Sequence, residues 1–546
     1  MDIIERHASD PQAIQTLSAT RRDASANFLA GIVSAWKIGL LLVLSLAVLF
    51  FVKGTWHWPL VGDAPLLHYV VFLAQHGRIP YRDILDPNMP GAYFVEWIVI
   101  HFFGPGALAW RLFDFGLLAA AAACMFAICR PHGWFAGAFA AGIFALIHGR
   151  DGLADLGQRD LVMSVLLLAA CACLFSNLRL SRSRRREFAL ALASGFFFAF
   201  AASIKPTALL FAVPFLILST IALRRRDRPV ARHVAAALTG FAIPGIAILV
   251  YLVRAQALSA FLHTLFRLDL YHAQLWKESG SWLALQVVSS VMLPLVLLWL
   301  PVAWLRKSWK SFEGAILYCG VLAGALSFIV QLKGFPYQRY PSEAFFLLLI
   351  GVDCAAALRQ IRSNYLPHIL AVAALGYGVL VIGIGSARQT LRYDRHLPEY
   401  NTLLQADLQR LGGAQLSGNI QCLDMASGCL DTLLQMQLVQ STGTLYDCYM
   451  LWPAPSREQT YARELFWNAV TARPPRVFVV NNRTCAPASY NDGPYGKLQR
   501  WPQFAAWLAM NYQLDADRLP PHPVHWTHDP EPPTGYRIYL RKSSFP

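Results

Sequence analysis

The segment IGLLLVLSLAVLFFV, residues 38–52, contains no charged side chain and lies between Lys37 and Lys53. Crossing about 30 Å of hydrocarbon takes roughly 20 helical residues, because each residue of a helix rises about 1.5 Å. Extended back to Ile32, the segment has that length, and it is too long for the apolar core of a cleaved signal peptide. It therefore predicts a first membrane-spanning helix at 32–52.

Further apolar runs follow along the chain, and together with the first they predict about eleven transmembrane helices. Of the 546 residues, 56% are hydrophobic and 14% are charged, against about 25% charged residues in an ordinary soluble domain. So few charged side chains cannot cover so much apolar surface, which excludes a soluble globule and a disordered chain. The later predicted spans are 107–129, 133–148, 161–176, 188–203, 206–223, 234–253, 283–305, 314–331, 342–358 and 366–385.

The net charge of +15 comes from arginine and lysine residues that cluster in short stretches between apolar runs, such as 182–186 and 224–228. This distribution is typical of cytoplasmic loops of membrane proteins, and it argues against a nucleic-acid partner. With the amino terminus inside, the short outside loops carry only Arg150, Arg159, Lys205, Lys333 and Arg339. The sequence thus predicts an integral protein of a bacterial-type inner membrane, with its amino terminus in the cytoplasm and its carboxyl terminus outside.

The predicted chain has a cytoplasmic segment, 1–31, and a transmembrane domain, 32–387, followed by an extracytoplasmic domain, 388–546. The first outer loop, 54–106, contains two stretches, 64–75 and 92–103, that are typical of amphipathic helices on a membrane surface.

The region 388–546 shifts to polar residues, proline and glycine, and predicts a small α/β domain. Its signals are strands at 419–423, 476–480 and 536–541 and a helix near 504–511. Four cysteines in this region permit two disulfides, with three possible connectivities, in an oxidising compartment. These cysteines are Cys422, Cys429, Cys448 and Cys485.

Charged residues of the transmembrane region gather on the side predicted to lie outside. Asp63 follows the first span, and further polar stretches lie at 77–83, 86–93, 151–160, 205–206 and 333–341. A carboxylate at the membrane surface can remove a proton from a hydroxyl group, while nearby cations hold a departing phosphate. Such residues at one membrane face indicate glycosyl transfer from a lipid phosphate.

At these residues the chain resembles the GT-C class of polytopic membrane glycosyltransferases, in particular the family 39-like relatives of protein O-mannosyltransferases and aminoarabinose transferases. In that class an Asp follows the first helix, matched here by Asp63, and a Gly-x-x-Pro-Tyr-x-Asp stretch follows it, matched by 77–83. A turn that leads to an aromatic surface helix matches 86–93. Arg159 and Asp160 match the outer start of the fourth helix, and Lys205 matches a lysine between two later helices.

The resemblance implies an inverting transferase that takes its sugar from a polyprenyl phosphate, with no nucleotide at the site. Asp63 is the implied catalytic base, and the acceptor is a glycolipid, a polysaccharide or a protein of the envelope. The lysine that the class has in the turn is absent, since Asn88 and Met89 stand there. No metal ligand set is predicted, although a divalent cation on Asp63 and a phosphate stays open. Arg82, Lys205 and Arg339 are the alternatives for the contact of the absent lysine with the donor phosphate. The predicted substrate-binding residues are Asp83, Asp86, Arg159, Asp160, Lys205 and Arg339.

Each of these residues also has a structural explanation. Asp63 and Asp160 are typical helix caps, and Asp83 and Asp86 are typical turn residues beside Pro87. The basic residues could anchor span ends at the lipid headgroups. Arg111 and Asp114 have the spacing of a helix-surface pair.

The competing function is a secondary transporter or lipid flippase, which usually has ionisable groups near the middle of the membrane and repeated halves. The sequence shows neither feature.

Overall fold

The computed structural model describes residues 11–180, 183–359, 365–392, 399–424, 428–483, 492–519 and 534–542. Its first part is a bundle of helices. In chain order these are α1 (Pro11–Thr55), α2 (Asp63–Gln75), α3 (Pro90–Phe103), α4 (Ala107–Cys129), α5 (Trp134–Asp151), α6 (Arg159–Leu180), α7 (Arg184–Ile204), α8 (Leu209–Arg224), α9 (Val230–Arg254), α10 (Leu258–His263), α11 (Asp269–Gln274), α12 (Gly280–Gln286), α13 (Leu293–Arg306), α14 (Phe312–Val330), α15 (Tyr340–Ala357), α16 (Leu366–Tyr377) and α17 (Gly383–Arg392).

Nine helical segments of the described chain are long and apolar enough to cross a bilayer: α1, α4, α6 to α9, α14, α15 and the nearly continuous rod α16–α17. The protein is therefore an integral membrane protein, and the predicted all-helical membrane fold is confirmed. The two remaining predicted spans coincide with α5 and with the pair α12 and α13. The total of eleven spans stays a prediction.

The span predicted at 283–305 is not one continuous helix. Helix α12 ends at Gln286 and α13 begins at Leu293, with Pro294 in its first turn. A proline lacks the backbone N–H that would bond to the preceding turn, so it is tolerated better in the first turn of a helix than in its interior. The helix therefore restarts here, and hydropathy alone does not detect such a break.

Helices α7 and α9 cross with their backbones in close contact. A Cβ atom on Gly240 would overlap the carbonyl oxygen of Leu192, and one on Gly195 would overlap that of Ala237. Small residues at such crossings allow membrane helices to approach closely, which increases their van der Waals contact. The two glycines therefore fix the distance between α7 and α9.

We expect Gly240→Val to separate α7 from α9 and to destabilise the protein by about 3 kcal/mol, the upper part of the range for overpacking. The measurement is the thermal unfolding midpoint of the purified protein in detergent. Gly245→Val is the matched control, because Gly245 lies on the same helix and a Cβ atom added to it would have no neighbour within 4 Å. Equal midpoints for the two variants would contradict this account of the crossing.

The C-terminal part forms a small α/β domain, as predicted. Its sheet has the order β1-β2-β4-β3, with β1 parallel to β2 and the other neighbours antiparallel. The domain contains a disulfide between Cys422 and Cys429, and Cys485 lies outside the described residues. Its elements are α18 (Glu399–Arg410), β1 (Ile420–Leu423), α19 (Cys429–Gln435), α20 (Cys448–Leu451), α21 (Arg457–Ala472), β2 (Val477–Asn481), α22 (Pro502–Asn511), β3 (Tyr512–Arg518) and β4 (Tyr536–Arg541).

Three strands and the helix at 502–511 coincide with predicted elements, whereas β3 is an additional strand. In β3 only Tyr512 and Ala516 are buried, so the strand has little apolar pattern. Its partner β4 supplies the backbone hydrogen bonds that define it. The sequence signal for this strand is therefore weak.

The C-terminal domain lies against α2. The stretch from Ala64 to Leu73 is buried throughout, and the Tyr69 hydroxyl donates to the carbonyl oxygen of Leu438 at 2.8 Å. The prediction of a helix here is correct, but α2 does not lie open on a membrane surface, because the C-terminal domain covers it. Helix α3 keeps exposed aromatic residues, including Phe94 and Phe102.

Candidate functional site

Asp63 is the first residue of α2 and forms an ion pair with Arg159, the first residue of α6. The Arg159 Nη2 atom lies 2.7 Å from Asp63 Oδ2. Gly62 has a φ of +65°, a conformation that favours glycine, and this turn places Asp63 at the helix start. The Asp63 side chain is 36% exposed, so a substrate can reach it.

Lys205 and Asp160 form a second ion pair beside the first. Lys205 separates α7 from α8, because Pro206 follows it and ends the first helix. Its Nζ atom donates to Asp160 Oδ2 and to Gln331 Oε1, both at 2.6 Å. Asp160 is fully buried, and its Oδ1 atom has no hydrogen-bond partner among the described residues.

Since Arg159 and Asp160 are consecutive, the two ion pairs make one group, called here the charged cluster: Asp63, Arg159, Asp160 and Lys205. The sequence named all four residues as candidates, and the structure brings them together from α2, α6 and the α7–α8 connection. A carboxylate and two cations side by side can accept a proton and stabilise a phosphate in the same place.

Three more ionisable groups lie near the charged cluster and were not among the sequence candidates. Burial lowers the pKa of Lys333 to about 7. The positive charge of Arg159 lowers this pKa further, whereas the negative charge of Asp63 raises it. Burial also raises the pKa of Asp269, and it lowers that of His272 well below its usual value. Lys333 belongs to a polar stretch noted in the sequence, but no motif distinguished it from its neighbours.

Asp86 lies deeper in the same region and is almost fully buried. Its Oδ1 atom accepts hydrogen bonds from the Tyr93 hydroxyl at 2.5 Å and from the side-chain and backbone nitrogens of Asn88. Burial raises the pKa of Asp86. These contacts fasten the turn to the first residues of α3, and a substrate-binding role for Asp86 stays a prediction.

Asp83 has other partners. It pairs with Arg82 at 2.8 Å and accepts from the backbone N–H of Ile79, also at 2.8 Å. The hydrogen bond from Arg82 lowers the pKa of Asp83. None of these partners belongs to the charged cluster, and the contacts are those of a turn residue. A substrate-binding role for Asp83 stays a prediction.

Arg339 also has partners outside the charged cluster. Its Nε atom lies 3.7 Å from Glu343, and Nη1 donates to the carbonyl oxygen of Gln286 at 3.4 Å. Its guanidinium lies 5.8 Å from the centre of the Phe328 ring. Its role in substrate binding likewise stays a prediction.

An apolar cavity of about 730 Å³ lies among α2, α3, α7 and α9. Two of its lining residues connect it to the polar region: Tyr93 bonds to Asp86, and Ser203 is two residues from Lys205. The other lining residues are mostly aromatic and aliphatic, and they include Val70, Phe94, Trp97, Phe196, Phe200 and Ile243.

A buried polar network is connected to the charged cluster through the loop that leads into α6. Asp114 accepts from Arg111 at 2.8 Å, from His148 Nε2 at 3.0 Å and from the backbone N–H of Gly157 at 2.7 Å. The pair of Arg111 and Asp114 exists as predicted, but both side chains are buried between helices and do not form a surface pair. Because Gly157 is two residues before Arg159, Asp114 holds the loop that leads into α6.

Within the described part of the chain, no group of three or more histidine, cysteine, aspartate or glutamate residues could hold a metal ion. A divalent cation held by Asp63 together with a phosphate stays a prediction.

The fold is similar to that of solved membrane enzymes. ArnT from Cupriavidus metallidurans has been crystallised bound to undecaprenyl phosphate, TM-score 0.55, and in the apo state, TM-score 0.56. In both comparisons ArnT is 13% identical in sequence to this chain, and the alignment covers 92% of this chain and 98% of the ArnT chain. An apo oligosaccharyltransferase from Archaeoglobus fulgidus is 12% identical over 81% of this chain and 69% of its own, with a TM-score of 0.48. No protein-family profile and no curated protein sequence matches the chain.

Proposed function

We propose that this chain, which has the fold of the GT-C membrane glycosyltransferases, transfers a sugar from a polyprenyl-phosphate donor to a hydroxyl group of an envelope acceptor. The observation that carries the proposal is the charged cluster beside an apolar cavity. A donor of this class needs both parts, because its phosphate requires cations and its lipid chain requires an apolar groove. The likeness in fold to ArnT, which was crystallised with undecaprenyl phosphate, supports the same donor class.

Asp63 is the proposed general base. Its Oδ2 atom is paired with Arg159, and Oδ1 forms no hydrogen bond with the described residues, so Oδ1 can accept the hydroxyl proton. The acceptor oxygen then forms a bond to the anomeric carbon, and the bond from that carbon to the phosphate oxygen breaks. The electron pair stays on the polyprenyl phosphate. A single displacement of this kind inverts the anomeric configuration.

Arg159 and Lys205 are the proposed groups that stabilise the departing phosphate. The phosphate gains negative charge as the bond breaks, and cations fixed in advance stabilise that charge more than mobile water does. Asp160 holds Lys205 in place through the 2.6 Å ion pair. The lipid chain is proposed to lie in the cavity, where each buried methylene contributes about 0.8 kcal/mol.

We propose that the site faces the extracytoplasmic side of the inner membrane. Helix α6 begins at the site with Arg159 and ends near the arginine-rich connection to α7, and α8 likewise runs from the site towards 224–228. The site and these arginine-rich loops are thus at opposite ends of the same helices. Since arginine-rich loops remain in the cytoplasm, the site and the C-terminal domain lie outside.

The test is incubation of the purified protein with a panel of radiolabelled polyprenyl-phosphate sugars and envelope fractions. We expect one label to move to a glycolipid, polysaccharide or protein. If no label moves while the protein carries a solute or a lipid across vesicles, the chain is a transporter or flippase and the proposal is wrong.

A further inference from the structure

Lys333 lies in a loop whose conformation is fixed on both sides. Leu332 has a φ of +64° and Gly334 a φ of +69°, and a Cβ on Gly334 would overlap the Trp282 ring. The backbone N–H of Glu278 donates to the carbonyl oxygen of Leu332 at 2.8 Å. A non-glycine residue in this conformation costs on the order of 1–2 kcal/mol, which the surrounding contacts offset. The loop therefore holds Lys333 in one place.

The Lys333 ammonium forms no hydrogen bond or ion pair with the residues that the structure describes, and it lies 5.8 Å from the centre of the Trp276 ring. Arg159 and Lys205, by contrast, are each paired with a carboxylate of the charged cluster. The charged and titratable groups that face Lys333 come from several elements: Asp63 of α2, Arg159 of α6, Lys205 of the α7–α8 connection, and Asp269 and His272 of α11.

Neither facing carboxylate forms an ion pair with this ammonium among the described residues. Asp63 pairs with Arg159 at 2.7 Å, and burial raises the pKa of Asp269. A partly buried cation that has no ion pair among the described residues is costly, so this position is suited to an anion that arrives with the substrate.

We propose that Lys333 binds the phosphate of the polyprenyl-phosphate donor, together with Arg159 and Lys205. The inference rests on the proposed function, since it names the group that recognises the donor of that reaction.

The partly buried position of Lys333 makes phosphate binding depend on pH. Burial lowers the pKa of free Lys333 to about 7, and a bound phosphate raises it again. Well below pH 7 the ammonium is charged before and after binding, so Lys333 itself adds no pH dependence there. Between the pKa of the free and of the bound state the affinity falls as pH rises, because binding must then take up a proton.

The experiment measures binding of undecaprenyl phosphate to the full-length protein in lipid nanodiscs, with undecaprenol as the same lipid without phosphate. We expect Lys333→Met to weaken binding of the phosphate by about 10- to 100-fold, the range for a hydrogen bond to a charged group, and to leave undecaprenol unchanged. Lys277→Met is the matched control, since that lysine is exposed one residue after Trp276.

Lys333→Arg separates charge from side-chain shape, because arginine stays protonated at all pH values used. Between pH 7 and pH 9 the phosphate keeps its charge, since its second pKa is about 6. We expect the wild-type affinity to fall over this interval and the affinity of Lys333→Arg to stay high and nearly constant.

The outcomes distinguish this inference from the proposed function. If the wild-type protein binds undecaprenyl phosphate no more tightly than undecaprenol, the proposed donor class is wrong. If it prefers the phosphate and Lys333→Met, still folded by its thermal midpoint, has the same preference, the inference is overturned and the proposed function stands.

Discussion

Asp63→Asn is expected to lower the rate of sugar transfer about a thousandfold, within the range for removal of a general base. The amide has nearly the shape of the carboxylate but cannot accept the hydroxyl proton. The substitution also removes the negative charge that pairs with Arg159 at 2.7 Å. The Arg159 guanidinium can then pair with the phosphate. Binding of the polyprenyl phosphate should therefore be retained or strengthened while transfer is lost.

The measurement is initial rates with the donor found in the panel, together with binding of undecaprenyl phosphate to the same preparation. Asp517→Asn is the control, because Asp517 is also partly exposed and pairs with an arginine, Arg537, at 2.8 Å in the C-terminal domain. It should transfer sugar at the wild-type rate. A tenth or more of the wild-type rate in Asp63→Asn would mean that another group takes the proton.

Asp114→Asn is expected to lower the free energy of unfolding by about 3–5 kcal/mol, the range for breaking one half of a buried ion pair. The change leaves the buried Arg111 guanidinium without a counter-charge and removes an acceptor shared with His148 and the Gly157 amide. The measurement is the unfolding midpoint in detergent. Because the loop into Arg159 is held through Gly157, transfer by the folded fraction should also fall.

The double variant Arg111→Met with Asp114→Asn distinguishes an unpaired charge from a general packing defect. With the guanidinium removed, no uncompensated buried cation remains, so the double variant should be more stable than Asp114→Asn alone. If the double variant is the less stable of the two, the pair does not stabilise the bundle through its charges.

The membrane fold was predictable because its main signal is local. Hydrocarbon thickness sets the length of an apolar segment, and this constraint acts on each helix independently of its neighbours. Hydropathy does not show where a helix is interrupted, as at 287–292. It also does not show that a polar pair is buried between helices. Arg111 and Asp114 look like a surface pair because spacing on one helix says nothing about what packs against it.

The charged cluster was only partly predictable. Asp63, Arg159, Asp160 and Lys205 each lie at a helix start or a helix break, and such positions are visible in the sequence. Asp83 and Arg339 have similar sequence settings, yet their contacts are with Arg82 and with Glu343. Which of several charged loop residues meet depends on loop conformation, and residues such as Leu332 at positive φ give no sequence signal.

From the sequence alone it follows that this protein spans a membrane with many helices, that an α/β domain follows them, and that the charged candidate side chains gather at one end of the bundle. Three features depend on the tertiary structure: Asp63 pairs with Arg159 across 96 positions, the C-terminal domain covers α2, and Lys333 lies beside the charged cluster with no ion pair among the described residues. The reason is physical: the length and polarity of a segment are properties of that segment, whereas ion pairing and burial depend on how distant segments pack together.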